Sequence, residues 1–323
     1  MLLPTLNERA YIRDCLDSLL AQDYEDVCEI LVIDGGSKDG TREIVATEGG
    51  LVRLVDNPRV TAAAAMNVGL AEAKGDLVCR ADAHTLYAPD YIRRCVEVLL
   101  ETDAANVGGP MRPVGTTSFG RAVAAVTTSA FGVGPAKFHL GGKRSEVDTV
   151  YLGFWRRETL ESVGGYDEAT LQWAAEDQEL NFRIRKAGGR VLMDPAIRSW
   201  YFPRDNPRAL GRQYFNYGVC KASTLLKHKS LPSLRPLAPA ALVAVSAVGF
   251  VAGRRWWRLA VPVAHAVATA TVSLQLGDNP GVAPHRAAGA IEVCHWAYGA
   301  GFWAGLWRAV TGRRFDTRPR GHR

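Results

Sequence analysis

The sequence lacks any cysteine pattern that would hold a structural metal or a disulfide framework. Its six cysteines contain no Cys-x-x-Cys pair and no metal-ligand spacing. Several of them fall on predicted apolar faces, where a reduced, buried thiol is the usual state. These absences exclude the small disulfide-stabilised and zinc-stapled classes of protein, and the length of 323 residues predicts about two domains.

We also expect no secretory leader, and the longest apolar runs fall short of a spanning helix. The residues before Pro4 have neither a basic flank nor an apolar core long enough for a signal peptide. Residues 237–253 carry no charge, and residues 259–276 have His265 as their single ionisable group. Both runs are slightly shorter than the roughly 20 apolar residues of a spanning helix.

Tryptophans beside arginines nevertheless favour a membrane interface for this C-terminal part. Residues 286–310 are apolar and Trp-rich, although they contain Glu292 and His295. We therefore expect membrane-associated α-helices, with transmembrane helices among them and one run re-entrant or flat on the surface. Helices of a protein core are the alternative. The tryptophans concerned are Trp256, Trp257, Trp303 and Trp307.

Acidic residues are scarce in the C-terminal part of the chain. Residues 1–203 contain 22 Lys and Arg against 29 Asp and Glu, a net charge of −7. Residues 204–323 contain 17 against 4, a net charge of +13. Basic segments bind nucleic acid or anionic lipid. Because apolar runs interrupt the basic residues here, we expect lipid as the partner and no nucleic acid.

What the sequence does contain is an alternation of apolar strands and helices. This alternation predicts an α/β fold with a mostly parallel sheet covered by helices. Strands are predicted at 29–34, 51–55 and 76–80, and helices at 41–47, 61–74 and 89–100. We expect an α/β domain over 1–203, a basic juxtamembrane segment over 204–235, and hydrophobic helices with a basic tail over 236–323.

Three further segments carry weaker local patterns. Asn7 is predicted to cap the first helix, whose apolar face includes Ile12 and Leu16. The Gly-rich residues 115–145 are expected to form a loop over the site. The first apolar stub, residues 1–3, is shorter than a usual strand, so we expect a start site upstream of it.

Polar side chains follow two of the predicted strands. Asp34 ends one apolar run, and Asp82 and His84 follow the run that ends at Arg80. Ligands bind at the carboxyl ends of parallel strands, so Asp34 and Asp82 should face one crevice. In an extended chain positions i and i+2 point the same way, so Asp82 and His84 can reach one ion or phosphate. The alternatives are a plain turn at Asp34 and a structural role for His84.

Four segments carry the most specific motifs: Pro4-Thr5-Leu6-Asn7-Glu8, Ile33-Asp34-Gly35-Gly36-Ser37-Lys38-Asp39-Gly40-Thr41, Asp82-Ala83-His84, and Glu176-Asp177-Gln178-Glu179-Leu180. Together they resemble the inverting family-2 glycosyltransferases with the GT-A fold. The resemblance covers about residues 1–200 and includes the smaller match Gly164-Gly165-Tyr166-Asp167-Glu168. With the apolar tail, the Asp-Ala-His variant is similar to the succinoglycan-biosynthesis branch of that family.

The resemblance implies a nucleoside-diphosphate sugar as donor and a divalent metal, Mn²⁺ or Mg²⁺, as cofactor. An imidazole suits Mn²⁺ better than Mg²⁺, so the histidine favours tolerance of, or preference for, Mn²⁺. The family's nucleotide-sugar pocket maps onto Pro4, Thr5, Asn7, Glu8, Asp34 and Asp82, and its metal site onto Asp82 and His84.

Asp177 matches the family's catalytic base, with Glu176 beside it to tune or position it. Inversion needs one carboxylate to take the proton of the acceptor hydroxyl, and such help is worth about 10²- to 10⁴-fold in rate. The alternative for the pair is simple stabilisation of a helix start by acidic residues.

The acceptor is expected to contact residues further along the chain. Trp173 could stack on an acceptor sugar, with burial in the core as the equal alternative. Arg204, Arg212 and Gln213 are expected to meet a lipid-linked acceptor, although lipid head groups alone would also explain the arginines. Processive relatives carry Gln-x-x-Arg-Trp, and the Arg-Trp is missing after Gln213. Its absence favours addition of one sugar per encounter.

The resemblance therefore implies an inverting, metal-dependent, non-processive transfer of a sugar from a uridine-linked donor to a lipid-linked saccharide. The expected location is the bacterial inner membrane with the catalytic domain in the cytoplasm, in contact with membrane lipids and polysaccharide-assembly proteins. Transfer to polyprenyl phosphate is one alternative. A non-catalytic nucleotide-sugar-binding membrane scaffold is another, against which the presence of Asp82, His84 and Asp177 speaks.

Overall fold

The computed structural model of the protein describes residues 1–169, 174–229, 234–252 and 257–312. Its strands are β1 (Leu2–Thr5), β2 (Ile30–Asp34), β3 (Val52–Asp56), β4 (Leu77–Arg80), β5 (Thr85–Tyr87), β6 (Asn106–Gly109), β7 (Arg112–Pro113), β8 (Ser145–Glu146), β9 (Tyr151–Arg156), β10 (Val191–Met193) and β11 (Ser199–Tyr201). Its helices are α1 (Ile12–Leu20), α2 (Thr41–Thr47), α3 (Ala62–Glu72), α4 (Tyr91–Glu101), α5 (Ser118–Thr127), α6 (Ala130–Val133), α7 (Lys137–Leu140), α8 (Arg157–Ser162), α9 (Glu176–Lys186), α10 (Pro207–His228), α11 (Leu237–Ala252), α12 (Ala260–Leu276) and α13 (Pro284–Thr311).

The chain forms two compact units that are not contiguous in sequence. Among the described residues, the first comprises 1–112, 141–169 and 176–201, and the second comprises 113–140, 174–175, 202–229, 234–252 and 257–312. This grouping differs from the three consecutive segments, divided after residues 203 and 235, that the sequence suggested. The reason is that α5 buries its apolar face in one cluster with α13, and so ties residues 113–140 to the C-terminal helices.

An eight-stranded sheet forms the centre of the first unit, in the order β3-β2-β1-β4-β9-β6-β10-β8. The neighbours β3, β2, β1 and β4 run parallel, as do β6 and β10, whereas β9 and β8 are antiparallel to their partners. The predicted α/β class is therefore confirmed. Because β1 lies between β2 and β4, the carboxyl ends of β2 and β4 are about 10 Å apart.

The local sequence explains why these elements form. All five residues of β2 are buried, as is usual for a parallel strand covered by helices on both faces. Helix α1 buries Ile12, Cys15, Leu16 and Leu19, which lie three or four positions apart and so share one face. These side chains join the main core of the unit.

Two predictions from local pattern are wrong. Helix α1 begins at Ile12, after an N-cap at Tyr11 with no side-chain hydrogen bond, so Asn7 does not cap it. Asn7 instead adopts a left-handed conformation with φ +55°, which asparagine tolerates better than most residues. The region 115–145 is not a plain loop, since it contains α5, α6 and α7; Thr117 and Ser129 cap the first two of these helices.

The second unit is built around α10 and α13. The two helices approach closely because Gly301 has no side chain: a Cβ there would overlap the carbonyl oxygen of Phe215. In the described parts of the chain, no helix has both the length and the apolar character needed to cross a membrane, so the expected transmembrane helix is not confirmed there.

Candidate active site

The turn after β2 is organised by the carboxylate of Asp34. Its Oδ1 atom accepts hydrogen bonds from the backbone N–H groups of Gly36 (3.0 Å) and Ser37 (2.9 Å). The guanidinium of Arg42 donates to the same oxygen at 2.8 Å. The side chain is buried. Asp34 therefore makes the contacts of the plain-turn alternative, and its role in nucleotide binding stays a prediction.

The loop after β1 interlocks with this turn. Asn7 donates its backbone N–H to Ser37 Oγ at 2.8 Å and accepts from the backbone N–H of Lys38 at 2.9 Å. The backbone N–H of Glu8 donates to Thr41 Oγ1 at 2.9 Å. In the parallel pairing of β1 with β2, Pro4 lies opposite Ile33 and Thr5 lies opposite Asp34. The five residues predicted for the nucleotide pocket on these two segments are thus brought together.

Asp82 and His84 follow β4, but they do not point at one position by virtue of an extended chain. The backbone turns at Ala83 and His84. Asp82 faces the guanidinium of Arg80, with Oδ1 3.2 Å from Nε. His84 faces Glu8 instead, with Nδ1 3.4 Å from Oε1. The reasoning from i and i+2 alternation is therefore wrong here, because it requires extended backbone through His84, whereas β4 ends at Arg80.

The side chains at this end of the sheet offer few ligands for a divalent metal. Within the described ranges, no group of three or more His, Cys, Asp or Glu side chains could hold a metal ion by itself. The Nδ1 atom of His84 is buried and makes no hydrogen bond within the described residues, although Glu8 Oε1 lies 3.4 Å from it. Metals bound with substrate phosphates commonly need only one or two protein ligands. Asp82 and His84 fit that smaller requirement in the number and type of their donor atoms, although Asp82 faces Arg80 and His84 faces Glu8.

Three carboxylates surround one buried arginine at the end of β4. Nη1 of Arg80 lies 2.9 Å from Glu176 Oε1 and 2.5 Å from Asp177 Oδ1. Nε contacts Asp82. Because Glu176 and Asp177 open α9, the arginine joins the start of this helix to the end of β4. The two predicted catalytic residues and Asp82 therefore lie around one guanidinium.

Burial and neighbouring charges set the ionisation of this cluster. Burial raises the pKa of Asp177 from 3.8 to about 7; the charge of Arg80 opposes the rise, and Glu176 and Asp82 add to it. Burial by itself would lower the pKa of Arg80, but the three carboxylates raise it well above its usual value. Arg80 therefore stays charged, whereas Asp177 can gain and lose a proton near neutral pH.

Sequence reasoning missed Arg80 and Tyr166. The hydroxyl of Tyr166 donates to Asp177 Oδ1 at 3.1 Å, and burial raises the pKa of this phenol, so it keeps its proton. Arg80 carried a usable signal, because a charge within an apolar strand has to be paired when it is buried. Tyr166 carried none beyond its place in the Gly-Gly-Tyr-Asp-Glu match.

None of the four predicted acceptor residues is described as part of the first unit, which contains this site. Trp173 lies outside the described residues. Arg204 is exposed and precedes α10, and Arg212 and Gln213 are half-buried within that helix. All three belong to the second unit. Their role in acceptor binding stays a prediction.

Comparisons with known proteins are consistent with this architecture. Residues 1–152 match the family described as Glycosyl transferase family 2. The succinoglycan biosynthesis protein ExoA of Rhizobium meliloti is 37% identical over 314 residues, which cover 95% of this chain and 94% of ExoA. A Methanococcus voltae protein is 26% identical over 70% of this chain and 74% of its own length; it is named dolichyl N-acetyl-alpha-D-glucosaminyl phosphate 3-beta-D-2,3-diacetamido-2,3-dideoxy-beta-D-glucuronosyltransferase.

Solved structures share the fold at low sequence identity. The mannosyltransferase PcManGT of Pyrobaculum calidifontis, solved with GDP-Man and Mn²⁺, superposes with a TM-score of 0.59 at 22% identity, over 94% of this chain and 86% of that one. Residues 1–349 of TarS from S. aureus give a TM-score of 0.51 at 18% identity, over 97% of this chain and 92% of that one. These similarities support the GT-A fold.

Proposed function

The chain belongs to glycosyl transferase family 2 and is a glycosyltransferase, and from that premise we propose that it transfers one sugar per encounter, with inversion, from a uridine diphosphate sugar to a lipid-linked saccharide. One observation carries the proposal: Arg80 contacts both Asp177, the predicted base, and Asp82, the predicted donor ligand. Residues nearly a hundred positions apart in the sequence therefore contact one guanidinium, and this supports the proposal that a donor and an acceptor would meet there.

Asp177 takes the proton in the proposed reaction. The acceptor hydroxyl loses its proton to the carboxylate while its oxygen bonds to the anomeric carbon of the sugar. The bond from that carbon to the diphosphate oxygen breaks, and its electron pair leaves with the nucleoside diphosphate. A base works best when its pKa lies near the operating pH, and the raised pKa of Asp177, about 7, meets that condition.

Asp82 and His84 would hold a divalent cation, Mn²⁺ or Mg²⁺. When bound, such an ion supplies positive charge to the diphosphate leaving group. The loop after β1 and the turn at Asp34 would bind the nucleoside, through the backbone groups and side chains of Pro4, Thr5, Asn7, Glu8 and Asp34. That PcManGT was solved with a nucleotide sugar and Mn²⁺ supports this arrangement by analogy.

Two relatives favour a lipid-linked saccharide over polyprenyl phosphate as the acceptor. ExoA is named for succinoglycan biosynthesis, and the Methanococcus voltae protein is named for transfer to a dolichyl-phosphate sugar. By this analogy the chain would act in bacterial polysaccharide or glycoconjugate synthesis, together with other assembly proteins. The missing Arg-Trp after Gln213 supports non-processive addition.

We also place the protein at the cytoplasmic face of the bacterial inner membrane. Large apolar side chains of α11 and α12 are exposed, among them Val248 (65%), Val251 (81%) and Val267 (61%). Exposed apolar surface of this kind marks interaction sites, and helices that lie in the membrane interface present such residues to lipid. The net charge of +13 over residues 204–323 adds attraction to anionic lipid.

A donor screen followed by turnover tests the enzymatic proposal. Thermal shift is measured with Mn²⁺ and a panel of nucleotide sugars, since a bound ligand raises apparent stability. The donor with the largest shift is then incubated with membrane lipid extract, and nucleoside diphosphate release is followed. Wild type should release product, and Asp177→Asn should bind the donor but lose turnover. Binding without release in wild type, with any extract, would instead favour the scaffold alternative.

Vesicle flotation tests the location. Wild type should float with vesicles of phosphatidylethanolamine and phosphatidylglycerol, and Val248→Asp with Val251→Asp should reduce the bound fraction several-fold. Leu100→Asp is the matched control, because Leu100 is 66% exposed on α4 of the first unit. Equal flotation of both variants would contradict a role for α11.

A further inference from the structure

Arg80 occupies an unusual electrostatic position. Its side chain is 8% exposed, and those of Glu176, Asp82 and Asp177 are 8%, 19% and 21% exposed. One positive charge faces three carboxylates, so with all of them ionised the cluster has a net charge of −2. Buried ion pairs contribute little to stability in general, because desolvation offsets the attraction between the charges. An excess of negative charge in this largely buried cluster is therefore not explained by stability alone.

The geometry of the guanidinium suggests what the cluster does. Its planar, fixed fork lets Nε contact Asp82 while Nη1 contacts Asp177 and Glu176. The distance between the two aspartates is therefore set by one rigid group. A lysine would keep the positive charge but could not hold two carboxylates in a fixed relation.

The contacts of Asp177 also distinguish its two oxygens. Arg80 and Tyr166 both donate to Oδ1. From the residues that the structure describes, no hydrogen bond reaches Oδ2. With Oδ1 held by two donors, the carboxylate cannot rotate freely, and Oδ2 is left to accept a proton.

We infer that Arg80 is a positioning residue, which fixes the Asp177 carboxylate at a set distance from Asp82 and presents Oδ2 to the acceptor hydroxyl. The inference rests on the proposed function, since it concerns the same base and the same donor ligand. It adds a residue outside the four motifs and assigns the proton-accepting oxygen. A small displacement of a reacting group can cost about 10²-fold in rate, which sets the size of the expected effect.

Charge-balanced variants provide the test. Arg80→Gln alone would leave a net charge of −3 in a buried cluster, so it is combined with Glu176→Gln, which restores −2. Arg80→Lys keeps the charge and removes the fork. Glu176→Gln is the reference for the double variant. Arg157→Lys is the matched control, because Arg157 donates to the backbone carbonyls of Leu70 and Gly75 in the same unit.

Three quantities are measured for each variant: Tm, the Kd for UDP with Mn²⁺, and kcat for release of UDP from the donor chosen in the screen. We expect Arg80→Lys and Arg80→Gln/Glu176→Gln to keep the Kd within about threefold and to lose about 10²-fold in kcat. Arg157→Lys should lower Tm and leave kcat per folded molecule unchanged. A loss of UDP binding that parallels the loss of kcat would overturn the positioning role.

Two outcomes separate this inference from the proposed function. If Asp177→Asn abolishes turnover but Arg80→Gln/Glu176→Gln matches the kcat of Glu176→Gln, the positioning role is wrong and the proposed function stands. If Asp177→Asn keeps full turnover, the assignment of Asp177 as the base is wrong, and the positioning role of Arg80 is wrong as well.

Discussion

Asn67 holds the backbone of Tyr166 by two hydrogen bonds. Its side-chain amide donates to the carbonyl of Tyr166 at 2.9 Å and accepts from the Tyr166 N–H at 2.8 Å. The same amide group also donates to Glu168 at 2.7 Å. Because the Tyr166 hydroxyl contacts Asp177, helix α3 is connected to the predicted base through one asparagine and one tyrosine.

Asn67→Ala should therefore reduce both stability and turnover. It removes both bonds to Tyr166, and each partly buried donor or acceptor left unpaired costs about 1–3 kcal/mol. We expect a lower Tm and a drop in kcat that exceeds any change in donor Kd. Asn279→Ala is the control, because Asn279 is exposed and donates to one backbone carbonyl in the second unit. Unchanged kcat in folded Asn67→Ala would show that Tyr166 needs no such support.

Activity should rise with pH as Asp177 ionises. Burial raises its pKa to about 7, so only the fraction that has lost its proton can act as a base. Below that pKa, kcat should increase about tenfold per pH unit, and it should level off above pH 8. Initial rates from pH 5 to 9 check this, with donor saturating. A flat profile between pH 5 and 7 would exclude Asp177 as the titrating base.

The same shift predicts how Asp177 affects folding. A carboxyl whose pKa is higher in the folded state binds more protons there than in the unfolded chain between about pH 4 and 7. Its contribution to stability is therefore lost as pH rises through that window. Asp177→Asn mimics the protonated form, so its Tm at pH 8 should equal or exceed that of wild type. A clearly lower Tm at pH 8 would mean that the ion pair with Arg80 stabilises the folded protein by more than the burial of the ionised Asp177 destabilises it.

His84 should decide metal preference if it binds the cation directly. An imidazole favours Mn²⁺ over Mg²⁺, and a carboxylate suits Mg²⁺. His84→Asp should lower the ratio of Mn²⁺-supported to Mg²⁺-supported activity several-fold, and the Mn²⁺ Kd, measured by electron paramagnetic resonance, should rise. Glu8→Gln serves as the comparison, since Glu8 lies 3.4 Å from the imidazole. An unchanged ratio in His84→Asp would argue for a phosphate contact instead.

A series of contacting polar side chains should make the stability of the second unit depend on pH. His295 contacts His265 at 2.8 Å and the carbonyl of Phe131 at 3.0 Å, and His265 Nδ1 lies 3.2 Å from Glu292 Oε1. Burial lowers the pKa of His295, and the neighbouring His265 lowers it further. A histidine with a depressed folded-state pKa binds protons preferentially in the unfolded chain. Stability is therefore lost as pH falls below 6.5.

We expect His295→Gln to be less stable than wild type at pH 8 by about 1–3 kcal/mol, because buried hydrogen bonds are disturbed. Its Tm should depend less on pH between 6.5 and 5 than that of wild type. Thermal unfolding across this range tests the expectation, with His285→Gln at the start of α13 as the control. Parallel Tm curves for wild type and His295→Gln would show that His295 is not the group responsible.

Local pattern predicted part of the first unit, chiefly the strands and helices of its N-terminal half. The helix over Thr41–Thr47 matches its predicted bounds, and β2 and β4 lie within one residue of theirs. Runs of buried apolar residues and stops at glycine are visible without knowledge of the fold. Asn7 shows the limit of such reasoning. Its side-chain oxygen accepts a hydrogen bond from the backbone N–H of Lys38 on another loop and does not cap the next helix.

The sequence by itself determined the α/β class, the strand ends that carry Asp34 and Asp82, and the helix start that carries Asp177. These features follow from short-range periodicity and from the chemistry of neighbouring residues. Only the tertiary structure decided that Arg80 joins Asp82 to Asp177, that Asp34 is used by its own turn, and that residues 113–140 fold with the C-terminal helices. The physical reason is that a contact between residues 80 and 177 depends on how strands and helices pack, and pairing across such distances leaves no periodic trace in the chain.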